Sequence, residues 1–300
     1  MPATTTFIDI AGLVRGASKG EGLGNAFLSH IREVDAIAMV VRCFEDHDVI
    51  HVEGAPDPQR DVDILTTELA LADLTTVERR LEKSRARAKA EPKLGDEVAA
   101  LDRIAAVLNE GKAARCFSGD AREASLAKEL SLLTAKPLLY VANVDESDTA
   151  VSARGVEQLQ QRANAEGSEV VALSAKIEAE LSALSPADAE AFARELGLGS
   201  RGLDRLIVAG YRLLRLMTFL TAGEKETRAW TITQGTKAPE AAGKIHSDIE
   251  RGFIRAEIAS FDDLQRLRSL NAVKEAGLLR SEGRDYVMQE GDVVNFRFNI

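Results

Sequence analysis

The sequence predicts an α/β protein: a parallel sheet interrupted by a helical insertion and followed by a small α+β domain. Three observations carry this. Short apolar segments ending in polar loops alternate with helical stripes on both sides of the insertion, the pattern of strands joined by helical crossovers. From 61 to 133 the apolar spacing changes to three and four residues, sustained over two long runs. After Gly223 the pattern turns to alternating apolar and polar positions with one short helix. The resulting domains are an α/β unit at 1–60 and 134–215, a helical hairpin at 61–133 and an α+β unit at 216–300.

Taken in order, residues 4–11 (TTTFIDIA) read as a short β-branched strand ending at Asp9. Five glycines in residues 12–24 argue for a loop. Phe27, Leu28 and Ile31 form a helical stripe, and 36–44 (AIAMVVRCF) is a continuous apolar run, the pattern of a strand covered on both faces. Within the insertion, Leu65, Leu69, Ala72, Val77 and Leu81 form one stripe and Leu94, Val98, Leu101, Ala105 and Leu108 a second, with Pro92 and Gly95 between them. This predicts a helical hairpin of coiled-coil type. A third helix is expected at about 121–133. Strands follow at 137–146 and 169–176, separated by a helix at 152–167 closed by Gly167. Residues 179–215 read as helical with a break at 197–202, and 203–216 as a long amphipathic helix. Strands are then expected at 228–235, 251–260, 285–289 and 293–300, with a helix starting near Ala238-Pro239.

The chain has 300 residues, 38 basic and 48 acidic, for a net charge of −10. That excludes a uniformly basic nucleic-acid coat but not a local patch. No apolar run approaches the roughly 20 residues a membrane span needs, and the first residues have no secretory pattern. Two cysteines, Cys43 and Cys116, suit a reducing compartment, and a cytoplasmic location is expected. A local patch exists: residues 79–93 hold seven basic side chains (Arg79, Arg80, Lys83, Arg85, Arg87, Lys89, Lys93) against Glu82 and Glu91. It reads either as a solvated helix face or as a contact for RNA phosphates.

Three short motifs lie at successive strand ends. Asp9–Gly12 is D-I-A-G; in P-loop nucleotide hydrolases D-x-x-G places an aspartate toward Mg²⁺ and a glycine N–H toward the γ-phosphate. Asn143–Glu146 is N-V-D-E, where GTPases carry N-K-x-D; the longer Glu146 misplaces the acceptor that guanine requires. Ser174, Ala175 and Lys176 follow the next strand, where backbone N–H groups and a lysine could meet a base. Each motif alone is compatible with an ordinary polar loop. Their order is what points to a nucleotide.

The stretch FIDIAGLVRGASKGEGLGNAFLSHIREVDAIAMVVRCF resembles the Obg-related P-loop hydrolases. With NVDE, the insertion at 61–133 and the ending from TAGEKETRAWTI through RGFIRAEIAS to FRFNI, the chain is identified as a member of the Obg-like ATPase (YchF) family from about residue 4 to residue 300. The resemblance implies a P-loop NTPase-type sheet, a coiled-coil insertion and a C-terminal TGS domain of β-grasp type. It implies ATP with Mg²⁺ in preference to GTP. It also implies association with the ribosome (the large subunit or the whole 70S-type particle) and its RNA. Carried onto this chain, Asp9 holds the metal and Gly12 meets the γ-phosphate. Asn143, Val144 and Glu146 line the adenine site together with Ser174, Ala175 and Lys176. Leu13 replaces a water-positioning glutamine, and His51 matches a histidine proposed to assist. No G-x-x-x-x-G-K-[ST] occurs in the 300 residues. The family carries that element before the point matching Met1, so the expectation is a member missing its first strand, P-loop, first helix and switch I, with impaired hydrolysis. Two alternatives remain at this stage: a nucleotide-independent ribosome- or RNA-binding module, and a GTPase of the wider Obg group.

Overall fold

The computed structural model describes residues 4–10, 23–46, 48–49, 51, 54–117, 119–146, 150–223 and 226–299. The chain divides into two compact units, one of Ile8–Gly210 and one of Met1–Phe7 with Tyr211–Ile300.

In the first unit the order is α1 (Leu23–Glu33), β1 (Ile37–Arg42), α2 (Pro58–Ala88), α3 (Gly95–Asn109), α4 (Ala121–Glu129), β2 (Leu138–Asn143), α5 (Ala150–Glu166), β3 (Glu169–Leu173), α6 (Ala175–Ser182), α7 (Pro186–Glu195) and α8 (Gly202–Leu213). The three strands form a parallel sheet in the order β1-β2-β3, in register at Val41 with Ala142 and at Val141 with Val171. One face packs Met39, Val41, Cys43, Leu138, Tyr140 and Ala142 against Val62 of α2 and Leu159 and Ala163 of α5. The approach is close at Gly155, where a Cβ would stand 3.0 Å from the Cβ of Cys43. Burial and the Asp61 charge push the Cys43 thiol up to about 11, so it is an inert core residue.

α2 and α3 meet through only part of the expected α2 stripe: Val77 and Leu81 pack on α3, while Leu69 and Ala72 pack with Leu28 and Ile31 of α1, and Leu65 packs against the sheet cluster. Asp57 caps α2 by accepting from the Arg60 N–H at 3.1 Å, Pro58 opens it, and at 31 residues it is about 46 Å long. Ala70, Val77 and Leu81 of α2 meet Ala100, Leu101, Ile104, Ala105 and Leu108 of α3. Two polar clamps hold its root. Asp73, buried on α2, accepts from the N–H groups of Leu133 and Thr134 (2.8 Å each) and from the Thr134 hydroxyl (2.6 Å). Burial pushes its carboxyl up against the opposing effect of those donors. At the second clamp, Glu166 of α5 accepts from Arg115 (2.8 Å), Tyr140 of β2 (3.0 Å) and Arg162 (2.8 Å), while Arg162 also binds Asp63 of α2.

The structure corrects several expectations. Residues 4–10 form no strand; an extended segment becomes one only when a neighbour supplies backbone partners, and among the described residues none pairs with it. β1 is not covered on both faces: Val40 is 64% exposed on the side opposite Met39 and Val41. The third insertion helix ends at Glu129 and is followed by a separate turn at Leu133–Ala135, because Thr134 and Leu133 give their N–H groups to Asp73. The amphipathic helix ends at Leu213, and Leu216 begins a strand. Arg215 takes a left-handed backbone (φ 52°) that breaks the helix there.

The second unit continues with β4 (Leu216–Ala222), β5 (Thr227–Thr233), α9 (Ala238–Gly243), α10 (Ser247–Arg251), β6 (Phe253–Ser260), α11 (Phe261–Leu267), α12 (Leu270–Glu275), β7 (Arg280–Glu282) and β8 (Asp292–Phe298). The sheet order is β5-β4-β8-β6-β7, with β4 and β8 parallel and the other pairs antiparallel. Phe219, Phe253, Phe296 and Ile232 pack with the alanines of α9 on one face; Val273 of α12 packs with Val293 and Ala259 on the other. The strand expected at 285–289 is instead a loop bridged once, Lys237 to Val287. Tyr286 and the Gln289 N–H both turn toward the buried Asp292, at 2.9 Å each, which takes this segment out of a ladder.

Burial pushes the Glu166 carboxyl up, but the hydrogen bond and charge of Arg115, the Tyr140 hydroxyl and Arg162 outweigh it and hold the group below its ordinary value. A carboxyl held low contributes stability above its unfolded value of about 4.3, and that contribution is lost as pH falls through the folded value. Glu166→Gln is therefore expected to lower the unfolding free energy by ~1–3 kcal/mol near neutral pH and to flatten the acid limb of stability against pH, read by urea unfolding.

Candidate functional site

The parallel register brings the ends of β1, β2 and β3 side by side, and ligands in open α/β sheets bind beyond such carboxyl ends. Asn143, the last residue of β2, fastens both neighbours. Its carbonyl accepts from the Cys43 N–H at 2.8 Å, and its side-chain oxygen accepts from the Ala175 N–H at 3.0 Å. Val144 donates its N–H to Leu173 of β3 at 3.0 Å. The N-V-D-E and S-A-K segments thus meet, as their order predicts. Glu146 completes the contact by pairing with Lys176, both exposed. That bond and charge raise the Lys176 ammonium above its ordinary value.

Local roles differ from the sequence reading in three places. Ser174 is the N-cap of α6, its hydroxyl accepting from the Ile177 N–H at 3.4 Å, so S-A-K opens a helix and is not a loop. The Ala175 N–H is engaged by Asn143 and not left for a base. Lys176 reaches Glu146.

Asp9 is exposed in the segment before the glycine-rich stretch. Gly12 and Leu13 lie outside the described residues. His51 lies 3.0 Å from Asp61 through Nε2, and Asp61 sits in the first turn of α2 and also binds Arg60. The candidate histidine is thereby anchored at the root of the insertion. Two residues here escaped the sequence reading. One is Asp61. The other is Arg42, whose guanidinium donates to the carbonyls of Phe44 (3.0 Å), Asp46 (3.0 Å) and Val49 (2.9 Å) and pins the loop after β1. Neither has a sequence signal, since each acts through a fold-back contact.

The basic tip divides by geometry. Arg80 binds Glu97 (2.9 Å) and Glu129 (3.1 Å), Arg85 binds Asp102 (2.6 Å) and Arg87 reaches Glu91 (3.5 Å). Arg79, Lys83 and Lys89 are exposed, and among the described residues none pairs with them in this way.

Among the described residues no three of His, Cys, Asp and Glu gather to hold a metal. One carboxylate, Asp9, suits Mg²⁺ of the kind completed by phosphates and water. Asn143–Glu146 and Ser174–Lys176 lie together at the strand ends, while residues 11–22 of the glycine-rich stretch lie outside the described residues.

A parallel sheet with polar side chains gathered beyond its strand ends defines an open α/β protein with its candidate ligand site at those ends. The comparisons narrow it. Residues 216–299 match the family YchF-GTPase_C, described as a protein of unknown function (DUF933). The chain is 48% identical over 301 residues to the ribosome-binding ATPase YchF of Escherichia coli O157:H7, covering 100% of this chain and 83% of that protein. It is also 48% identical over 303 residues to its namesake in Bacillus subtilis (strain 168), again over 100% and 83%. The structure of the Schizosaccharomyces pombe YchF GTPase superposes with a TM-score of 0.79 at 37% identity, over 94% of this chain and 77% of that one. A GTP-binding protein of Pyrococcus horikoshii shares the fold at TM-score 0.59 and 19% identity, over 91% and 81%. The chain belongs to the YchF family.

Asn143→Ala removes the tie between the ends of β2 and β3. The expected loss is ~1 kcal/mol of unfolding free energy, measured by urea titration.

Proposed function

We propose that this chain is a ribosome-associated, cytoplasmic ATP-binding protein. In this reading adenine lies between Asn143–Glu146 and Ser174–Lys176, and Mg²⁺ is held at Asp9. The contact of these two segments through Asn143, Ala175, Glu146 and Lys176 is the observation that supports it most. The Glu146 carboxylate is turned to Lys176 and is one methylene longer than the aspartate that accepts guanine's two donors. This favours ATP over GTP. The relatives in E. coli and B. subtilis are named ribosome-binding ATPases, while the S. pombe relative is titled a GTPase.

The domains in this reading are an α/β nucleotide domain at 1–60 and 134–215, a coiled-coil insertion at 61–133 and a TGS domain of β-grasp type at 216–300. The long α2–α3 pair and the mixed five-stranded sheet with its helices support the last two. When bound, Mg²⁺ neutralises phosphate charge. Gly12 offers a backbone without a side chain beside the γ-phosphate. Leu13 has no group to orient water, and His51, held by Asp61, is the side chain with that capacity. Phosphoryl transfer is catalysed almost entirely by positioning and electrostatics. A chain with no G-x-x-x-x-G-K-[ST] in its 300 residues is then expected to turn over ATP slowly or not at all. Nucleotide-independent docking on the ribosome is the second reading, and the exposed Arg79, Lys83 and Lys89 favour it.

Two measurements test this. Competition of ATP and GTP against a fluorescent adenine nucleotide should show ATP preferred, and Glu146→Asp should move the balance toward GTP; GTP preference in the unaltered chain defeats the adenine reading. In ribosome co-sedimentation, Arg79→Gln with Lys83→Gln should weaken binding and reduce its salt dependence. Arg85→Gln should chiefly lower hairpin stability, because Arg85 is committed to Asp102.

A further inference from the structure

A cavity of about 600 Å³ opens at the root of the hairpin, and no residue of the strand-end site or of the basic tip lines it. Pockets that hold small molecules run from roughly 300 to 1,000 Å³. The apolar lining comes from Ile104 and Val107 of α3, Ala124 and Ala127 of α4, Phe117 and Pro137. The walls are fixed by polar ties to their surroundings. Glu123 of α4 pairs with Arg103 of α3. The Ala114 N–H donates to the Thr134 hydroxyl at 3.0 Å. Lys136 Nζ donates to the carbonyls of Arg32 (3.1 Å) and Val34 (2.6 Å), in the turn before β1. The Phe117 ring lies so close to Gly119 that a Cβ there would stand 2.6 Å from it. The cavity is therefore formed before anything enters it. Five charged side chains line it: Asp35, Arg115, Glu123, Lys128 and Lys136. Arg115 is engaged by Glu166, and Glu123 by Arg103. Lys136 meets carbonyls, which carry no net charge, and keeps one of its three N–H groups. Lys128 and Asp35 are exposed, and among the described residues neither lysine is paired with a carboxylate. Two cations and one anion leave the lining positive.

We propose that this cavity binds a small amphipathic anion, with an apolar body against Ile104, Val107 and Phe117 and a single carboxylate or sulfonate on Lys128 and Lys136. Burial of the body removes apolar surface from water, and the two ammonium groups supply the charge complement. Arg115 is both a wall of the cavity and a partner of Glu166. The site is thereby joined to the cluster that ties the hairpin to the sheet, and it is independent of the nucleotide reading.

The test is a fluorescence titration of the full 300-residue chain with anilinonaphthalene sulfonate and, in parallel, with phenylnaphthylamine, the same ring system without the sulfonate. The sulfonate should bind more tightly than the uncharged amine, and added salt should weaken the sulfonate alone. Lys128→Gln and Lys136→Gln should each lower sulfonate affinity roughly 2- to 5-fold and leave the amine unchanged, while Lys128→Arg should keep the affinity. Lys128 carries this comparison if Lys136→Gln, which gives up two hydrogen bonds, lowers the thermal midpoint. Ala124 is exposed on α4, so Ala124→Trp fills the cavity without disturbing the core and should abolish binding of both compounds. The proposal is overturned if the unaltered chain binds no sulfonate, or if the amine binds as tightly as the sulfonate. It is equally overturned if Lys128→Gln binds both compounds like the unaltered chain, or if Ala124→Trp leaves sulfonate binding intact.

Discussion

Neighbouring parallel strands separated by a long insertion must be held together at the insertion's root. β1 and β2 lie side by side in the sheet, yet α2, α3 and α4 intervene between them in the chain. A helical hairpin about 46 Å long is a lever on that root. The Asp73–Thr134 clamp and the Glu166 cluster resist it, and both are buried or partly buried polar networks with nearly every acceptor used. Glu166 matters most, because its partners come from the sheet (Tyr140), from the α3–α4 connection (Arg115) and from α5 (Arg162), which reaches on to Asp63 of α2. A fully satisfied network in low dielectric specifies one arrangement. The register of β1 on β2, and with it the placement of Arg42, Cys43 and Asn143, follows from that arrangement.

The candidate site inherits this order. Asn143 sits between the ends of β1 and β3 and bonds to both, so a shift of either strand would move it. The parts farther from the sheet are held more lightly. The Glu146–Lys176 pair is exposed, and such pairs contribute little to stability. They are free to serve recognition. The same division runs through the hairpin, where Arg80 and Arg85 join helices and Arg79 and Lys83 face solvent. One basic run thus divides into side chains that join helices and side chains that face solvent, which charge counting treats as one.

Much of the fold is legible in the residues. The spacing of α2 and α3 marked them as helices, though Leu65, Leu69 and Ala72 of the α2 stripe pack on the sheet and α1 and only Val77 and Leu81 reach α3; β2 and β3 ended where their apolar runs ended. What failed was local pattern that depends on a neighbour. Residues 4–10 have strand composition but no partner among the described residues, and 285–289 alternate like a strand but are drawn aside by Asp292. β4 was hidden because Leu216 and Met217 continue the apolar period of α8, and only the left-handed Arg215 marks the break. At the site, Asn143, Glu146 and Lys176 were legible as strand-end polar residues. Asp61 and Arg42 were not, for each gains its role by folding back on a loop.

The sequence by itself determined the alternation of strands and helices, the insertion, the order of the three strand-end motifs and the likeness to the YchF family. These are periodic or contiguous properties, carried by spacing along the chain. Only the tertiary structure decided which groups face each other: that Ala175 gives its N–H to Asn143, that His51 is tied to Asp61, and that Arg255 and Arg297 share Glu257. Hydrogen bonds and ion pairs act over about 3 Å, and no spacing in a linear chain specifies which distant groups come within that reach until the core has packed.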